Sequence, residues 1–235
     1  MNIQVIPSDE IIKEAVEALD AELLKSQGKE MLFLSSGGSS LAMLEHINVS
    51  YFGSQSTITV LDERYSTDPT INNFSQLMKT NFYEKVLRNG SRFIDTRPKD
   101  NGSMENTAMR FEKELRDWMK KGDGIIIATI GVGPDAHTAG IMPYPEDKKL
   151  FEASFEGEQL VKGYNAGNKS PYPLRITVTM PFMRKINFAV SIIRGSDKKE
   201  AVSRLKSEKG SLHESPCRII RELPHAEVFI EPPLQ

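Results

Sequence analysis

This chain has almost no sulfhydryl chemistry. It holds one cysteine, Cys217, in 235 residues. A single thiol cannot form an internal disulfide, and that usage fits a reducing compartment. Cys217 can be read as a nucleophile or as a small buried apolar residue, and no base motif flanks it to favour the first. No apolar run approaches the roughly 20 residues of a membrane helix, so no membrane is expected as a partner. The start, Met1-Asn2-Ile3-Gln4-Val5, has neither the basic nor the apolar region of a signal peptide, and the cytoplasm is the expected compartment. There is also no long basic block. Thirty Lys and Arg stand against 32 Asp and Glu, for a net charge of -2, with the signs interspersed. Nucleic acid is therefore not an expected partner. No His, Cys, Asp or Glu cluster has metal-ligand spacing, so no metal or cofactor is expected. No Pro/Gly/Ser-rich linker, fixed-period repeat or low-complexity tract divides the chain, and residues 1–235 are expected to form one domain. The other histidines, His46, His213 and His225, and the lone Trp118 read as structural.

What is present is a repeated phrase: an apolar run, a polar or glycine-rich stop, then a helical pattern. Met31-Leu32-Phe33-Leu34 is short and continuously apolar, as buried strands of parallel sheets are. It stops at Ser35-Ser36-Gly37-Gly38-Ser39-Ser40, and a helical pattern follows through Leu41, Leu44 and Ile47. Thr57 to Leu61 stops at Asp62-Glu63-Arg64. Gly124 to Ile130 stops at Gly131-Val132-Gly133. Arg175 to Thr179 is a β-branched run, Phe188 to Ile193 stops at Gly195-Ser196-Asp197, and Glu227 to Ile230 closes the series. Helices are expected from a cap at Ser8 or Asp9 through Ile11, Ile12, Ala15, Val16, Leu19 and Leu23, over Asn106 to Lys120, and over Lys198 to Lys206. Strands alternating with helices predict an α/β fold: a mostly parallel sheet with helices on both faces, in a Rossmann-like three-layer architecture. Ligands of such sheets bind at the carboxyl ends of the strands, where the unusual residues of this chain gather.

Each motif admits two readings. Ser36-Gly37-Gly38-Ser39 is either an ordinary tight turn with a serine cap or a backbone cradle for a phosphate at a helix start, with the Ser39 hydroxyl adding a donor. It is neither a P-loop nor G-x-G-x-x-G. Strand alternation puts Asp62 and Arg64 on one side and Glu63 on the other. The first two could position a polyhydroxy substrate, or form a surface ion pair worth about 0–1 kcal/mol. In Gly131 to Gly140, His137 follows a glycine turn and an aspartate. It can serve as general base, with Asp135 near enough to orient it. Arg175 and Lys198 sit at strand ends, where each could neutralise a phosphate or simply be solvated.

Together these residues resemble the 6-phosphogluconolactonase family, a relative of glucosamine-6-phosphate deaminase. The resemblance is carried in order by Ser36-Gly37-Gly38-Ser39, Asp62-Glu63-Arg64, Asn72-Asn73, Gly131 to Pro143, Arg175-Ile176-Thr177 and Gly195-Ser196-Asp197-Lys198, from about residue 30 to about residue 205. It implies hydrolysis of a phosphorylated lactone in the pentose phosphate pathway, with a sugar phosphate as partner and no metal. Carried over by position, Gly37, Gly38, Ser39, Arg175 and Lys198 would hold the phosphate end, and Asp62 the substrate. His137 would activate water, Asp135 would orient His137, and Arg64 would sit near the reacting end.

The chain also departs from the pattern. Ala136 replaces a glycine, which costs roughly 1–2 kcal/mol if the position is left-handed. Pro134 stiffens the turn, Leu41 replaces a proline, and Gly140-Ile141-Met142 replaces Ser-Leu-Phe. The deaminase pattern has Asn-Glu-Pro where Ile141-Met142-Pro143 stands, and Met142 cannot act as acid or base, so the lactonase is the preferred reading. A deaminase-isomerase and a non-catalytic sugar phosphate sensor are the alternatives.

Overall fold

The computed structural model describes residues 1–99 and 102–232, with Ser39 described by its backbone alone. In chain order the elements are β1 (Asn2–Val5), α1 (Ile11–Lys25), β2 (Met31–Ser35), α2 (Leu41–Leu44), β3 (Ser56–Val60), β4 (Asp62–Arg64), α3 (Asn73–Leu77), α4 (Asn81–Arg88), β5 (Arg92–Phe93), α5 (Met104–Met119), β6 (Ile125–Thr129), α6 (Lys148–Phe155), β7 (Val161–Asn165), β8 (Leu174–Val178), α7 (Met180–Met183), β9 (Phe188–Ile193), α8 (Lys199–Lys206) and β10 (His225–Ile230).

Seven strands form one sheet in the order β1-β10-β9-β6-β2-β3-β5, and every neighbouring pair is parallel. Alternation along β2 explains why a continuous apolar run suits it. Leu32 and Leu34 pack with Phe111 and Leu115 of α5 on one face. Met31 and Phe33 pack with Leu19 and Leu23 of α1 and Phe82 of α4 on the other. Both faces are thus covered, giving the three-layer α/β arrangement that the alternating pattern predicts. Among the described residues no helix is long and apolar enough to cross a membrane.

Three local expectations are corrected. Neither Ser8 nor Asp9 caps α1: the cap position is Glu10, with no side-chain cap bond. The Ser8 hydroxyl donates to Glu231 instead. The helix after β2 does not run to Ile47. It is a 3-10 turn over Gly38–Ser40 and four residues of α-helix. Beyond Ile47, Asn48 starts a new turn, its side chain accepting from the Ser50 amide at 3.1 Å. Finally, the run at Arg175 is a strand but joins no parallel partner. β8 lies between β4 and β7 in a separate antiparallel sheet, ordered β4-β8-β7. The Asp62-Glu63-Arg64 stop of the third strand is itself the edge strand of that sheet.

Chain direction locates the crevice. From β2 the chain moves outward through β3 to β5, then returns to place β6 against the other edge of β2. The loops after β2 and β6 therefore diverge at a topological switch point, where open parallel sheets bind ligands.

Candidate active site

A cleft of about 450 Å³ opens at this switch point. The two loops that flank it are stitched together by Ser36. Its amide donates to Thr129 Oγ1 at 3.0 Å, its hydroxyl donates to the Thr129 carbonyl at 2.6 Å, and the same oxygen accepts from the Gly131 amide at 2.8 Å. Gly37, Gly38, Asp62, Arg64, His137, Arg175 and Lys198 all line the cleft. The fold thus collects residues spread over 162 positions of sequence. Asp135 is not on the lining; it stands behind His137. The side chain of Ser39 lies outside the described residues.

His137 and Asp135 form a dyad. His137 Nδ1 is 2.5 Å from Asp135 Oδ1, and the His137 amide donates to the same oxygen at 3.1 Å. Burial raises the Asp135 carboxyl, but the hydrogen bonds and charge of His137 outweigh it and hold the group below its ordinary range. An ionised carboxylate can only accept, so Nδ1 carries the proton and Nε2 is left with its lone pair in the neutral ring. The loop that carries the dyad is backbone-strained. Ala136 has φ 69° and Ala139 φ 48°, a left-handed conformation that a Cβ resists. Tertiary contacts hold it there. The Cys217 amide donates to the Ala136 carbonyl at 2.9 Å, the Tyr164 hydroxyl to the Gly140 carbonyl at 2.5 Å, and the Thr177 hydroxyl to the Ala139 carbonyl. Ala136 in place of glycine therefore does not pull His137 away from Asp135.

The small antiparallel sheet supplies the opposite wall. Its register sets Asp62 across from Thr177 and Arg64 across from Arg175. Two guanidinium side chains thus stand directly opposite one another, an arrangement that is unfavourable by itself. Asp62 and Arg64 do share a side, as alternation predicts, yet they do not pair. Asp62 Oδ2 accepts from Arg175 Nη1 at 2.9 Å, with both side chains 9% exposed. Arg64 instead stacks over the Tyr172 ring, 4.7 Å from its centre. The Nε atoms of both arginines are buried without a partner. Two guanidinium groups and one carboxylate leave this wall with a net positive charge.

Glu63 points away from the cleft and is fully buried. It holds the start of α3: its two oxygens accept from the amides of Asn73 at 2.5 Å and Phe74 at 3.0 Å, and from the Thr96 hydroxyl at 2.9 Å. Burial pushes its carboxyl up to about 7 against the lowering effect of those bonds, and the nearby charge of Asp62 adds to the rise.

Lys198 donates through Nζ to the Val132 carbonyl. Burial lowers its pKa against the opposing charges of Asp197 and Asp135. Two residues that also line the cleft escaped the sequence reading as site residues. Asn73 donates from Nδ2 to the Asp62 carbonyl at 2.9 Å; its only signal was its place in the Asn72-Asn73 pair. Arg194 also lines the cleft; its signal was its position immediately before Gly195. His46, His213 and His225 do not reach the lining.

The family model described as glucosamine-6-phosphate isomerases/6-phosphogluconolactonase matches residues 8–229. A 6-phosphogluconolactonase from Nostoc sp. is 23% identical over 229 residues, covering 93% of this chain and 90% of its own. Among solved structures, the 6-phosphogluconolactonase of Thermotoga maritima superposes with a TM-score of 0.74 at 20% identity, covering 98% of this chain and 99% of its own. That of Leishmania guyanensis gives 0.76 at 19% identity, with 98% and 96% covered. A monomeric glucosamine-6-phosphate deaminase gives 0.69 at 17% identity, with 100% and 98% covered. Both activities occur on this fold, and the match of the family model over nearly the whole length decides the membership: the chain belongs to the glucosamine-6-phosphate isomerase/6-phosphogluconolactonase family.

Proposed function

We propose that the chain hydrolyses 6-phospho-D-glucono-1,5-lactone to 6-phosphogluconate, with His137 as general base. The observation that carries this reading is the His137–Asp135 dyad on the rim of a cationic cleft at the switch point. Water attacks the lactone carbonyl carbon and loses a proton to His137 Nε2 as the C–O bond forms. Asp135 keeps the other ring nitrogen protonated and stabilises the imidazolium. The oxygen of the tetrahedral intermediate gains negative charge, which Arg64 is charged to stabilise. When the intermediate collapses, the bond from C1 to the ring oxygen breaks. The leaving alkoxide takes the proton from His137, and the new acid ionises. The phosphate end is held by Arg175, Lys198 and the turn at Gly37, Gly38 and Ser39. Gly38 favours this role: its φ is 65° and nothing lies within 4 Å of where a Cβ would be, so its backbone faces open space.

The deaminase reading is disfavoured by Met142. A glutamate in that place would offer an acid–base group, whereas Met142 is an apolar side chain buried in the core. Incubation with glucosamine 6-phosphate is expected to release no ammonia above the blank.

The deciding experiment is a coupled assay on freshly generated lactone, corrected for spontaneous ring opening. Turnover above that background is expected, and its absence with binding retained would instead mark a sensor. His137→Ala should lower kcat by about 10²–10⁴-fold while 6-phosphogluconate still binds. Asp135→Asn should cost less, because orientation is lost but the base remains. Near-normal kcat in the His137→Ala enzyme would overturn the assignment.

A further inference from the structure

The two cations that flank the phosphate turns in sequence are each partly committed inside the protein. Arg175 is neutralised by Asp62 at 2.9 Å and also donates to Ser170 Oγ at 3.1 Å. Lys198 donates to the Val132 carbonyl. Arg194 is placed differently. Among the described residues its ion-pair partner is Glu231, 3.8 Å from its Nε and beyond hydrogen-bonding distance. Its side chain lines the cleft and is 46% exposed. Its backbone is clamped on both sides by that same glutamate. The Glu231 amide donates to the Ile193 carbonyl at 3.1 Å, and the Gly195 amide donates to Glu231 Oε2 at 2.9 Å. The point from which the guanidinium leaves the backbone is thus fixed, while among the described residues its donors make no hydrogen bond, only the loose ion pair with Glu231.

We propose that Arg194 is a specificity-determining residue: it contacts the phosphate of the substrate beside Lys198 and makes the cleft select phosphorylated over unphosphorylated lactones. The proposal rests on the lactonase reading and adds a residue to it. A guanidinium is weakly hydrated and presents paired N–H groups that match two phosphate oxygens at once, which a lysine cannot do. Placed one residue before the Gly195 turn, Arg194 stands four positions from Lys198 on the same strand-to-helix junction. Their two charges bracket the turn that carries Asp197, and Glu231 accepts from the Gly195 amide of the same turn. Because the phosphate does not react, this contact exists equally in the ground and transition states. Its loss should therefore appear in KM and not in kcat.

The test compares Arg194→Ala, Arg194→Lys and Lys198→Ala with the parent enzyme. Calorimetry with 6-phosphogluconate and with gluconate measures binding. Turnover is followed on the phosphorylated lactone and on unphosphorylated glucono-δ-lactone. Arg194→Ala is expected to weaken 6-phosphogluconate binding and raise KM for the phosphorylated lactone by about tenfold, the low end for a charge-assisted hydrogen bond. Its kcat should stay within about twofold, the kcat/KM on the unphosphorylated lactone should be unchanged, and Arg194→Lys should restore part of the loss. If Lys198→Ala weakens phosphate-dependent binding and Arg194→Ala does not, Arg194 has no such role and the phosphate assignment survives. If neither weakens it, the phosphate assignment itself fails. An equal loss on both lactones, or a fall in kcat, would make Arg194 a structural residue and overturn the proposal.

Discussion

The imidazole of His137 lies directly over the backbone of Gly133: a Cβ on that glycine would come within 2.1 Å of ring atoms Cε1 and Nδ1. The same relation recurs across the cleft. A Cβ on Gly140 would meet Asp62 Oδ2 at 2.7 Å, and one on Gly37 would meet Asn73 Oδ1 at 2.6 Å. These glycines leave room for side chains that line the cleft, a demand distinct from the tight turns that glycine usually marks.

Gly133→Ala should therefore push the His137 ring off Asp135 without unfolding the protein. The expected result is a fall in kcat of about tenfold or more, because reacting groups lose rate steeply with small displacements. Binding of 6-phosphogluconate should be nearly unchanged. Steady-state kinetics alongside calorimetry would check this, and an unaltered kcat would mean that the ring has another way to reach its partner.

Ala136→Gly should leave catalysis intact. Glycine would relieve a left-handed alanine, worth about 1–2 kcal/mol. It would also remove a buried methyl, worth about 0.8 kcal/mol, and loosen the unfolded chain by about 0.4–1 kcal/mol. These contributions nearly cancel. Thermal unfolding should show a small change and kcat should stay within about threefold. A large gain in kcat would show that alanine at this position does misplace the dyad.

Arg175→Ala should act on stability as well as on binding. Removing one partner of a buried ion pair typically costs about 3–5 kcal/mol, because the other charge is left uncompensated. For a chain of this size the melting temperature should fall by about 6 °C or more. Arg175→Ala combined with Asp62→Asn should recover part of that loss without recovering affinity for 6-phosphogluconate. Equal melting temperatures for the single and double variants would argue that the pair is not coupled.

Glu63 predicts a pH dependence of stability. Its carboxyl keeps its proton up to about 7 in the folded protein, against an ordinary value of 4.5. Between those values the folded state binds more protons than the unfolded one, so stability falls as pH rises and levels off above about 7. The shift corresponds to about 3 kcal/mol. Urea unfolding across pH 4.5–7.5 should show this slope in the parent and lack it in Glu63→Gln. That variant should also be less stable overall, since its amide group faces the donors of Asn73 and Phe74. Parallel pH profiles for the two proteins would exclude Glu63 as the source.

Much of the fold was legible in short range. The apolar runs at Met31, Gly124 and Phe188 became β2, β6 and β9 because continuous hydrophobicity suits a strand buried on both faces. The spacing of Ile11, Ala15, Leu19 and Leu23 became the buried stripe of α1. The second sheet was not legible as a sheet. β4 is three residues long, too short for periodicity to register, and β8 reads the same whichever strand it pairs with.

At the site, residue types and their local chemistry were already present in the chain: a histidine two residues from an aspartate, glycines at strand ends, cations at the next two junctions. Those follow from sequence because the partners are neighbours along the backbone. The pairing of Asp62 was not deducible in that way. Alternation placed it beside Arg64, yet its charge partner is Arg175, 113 residues away. That choice rests on the register of two antiparallel strands and on the Tyr172 ring that draws Arg64 aside. Arg194 is a similar case. Its availability to a ligand depends on where Glu231, at the end of the last strand, holds the chain. Contacts between distant segments have no periodic trace in the sequence, and only the assembled sheets bring them within bonding distance.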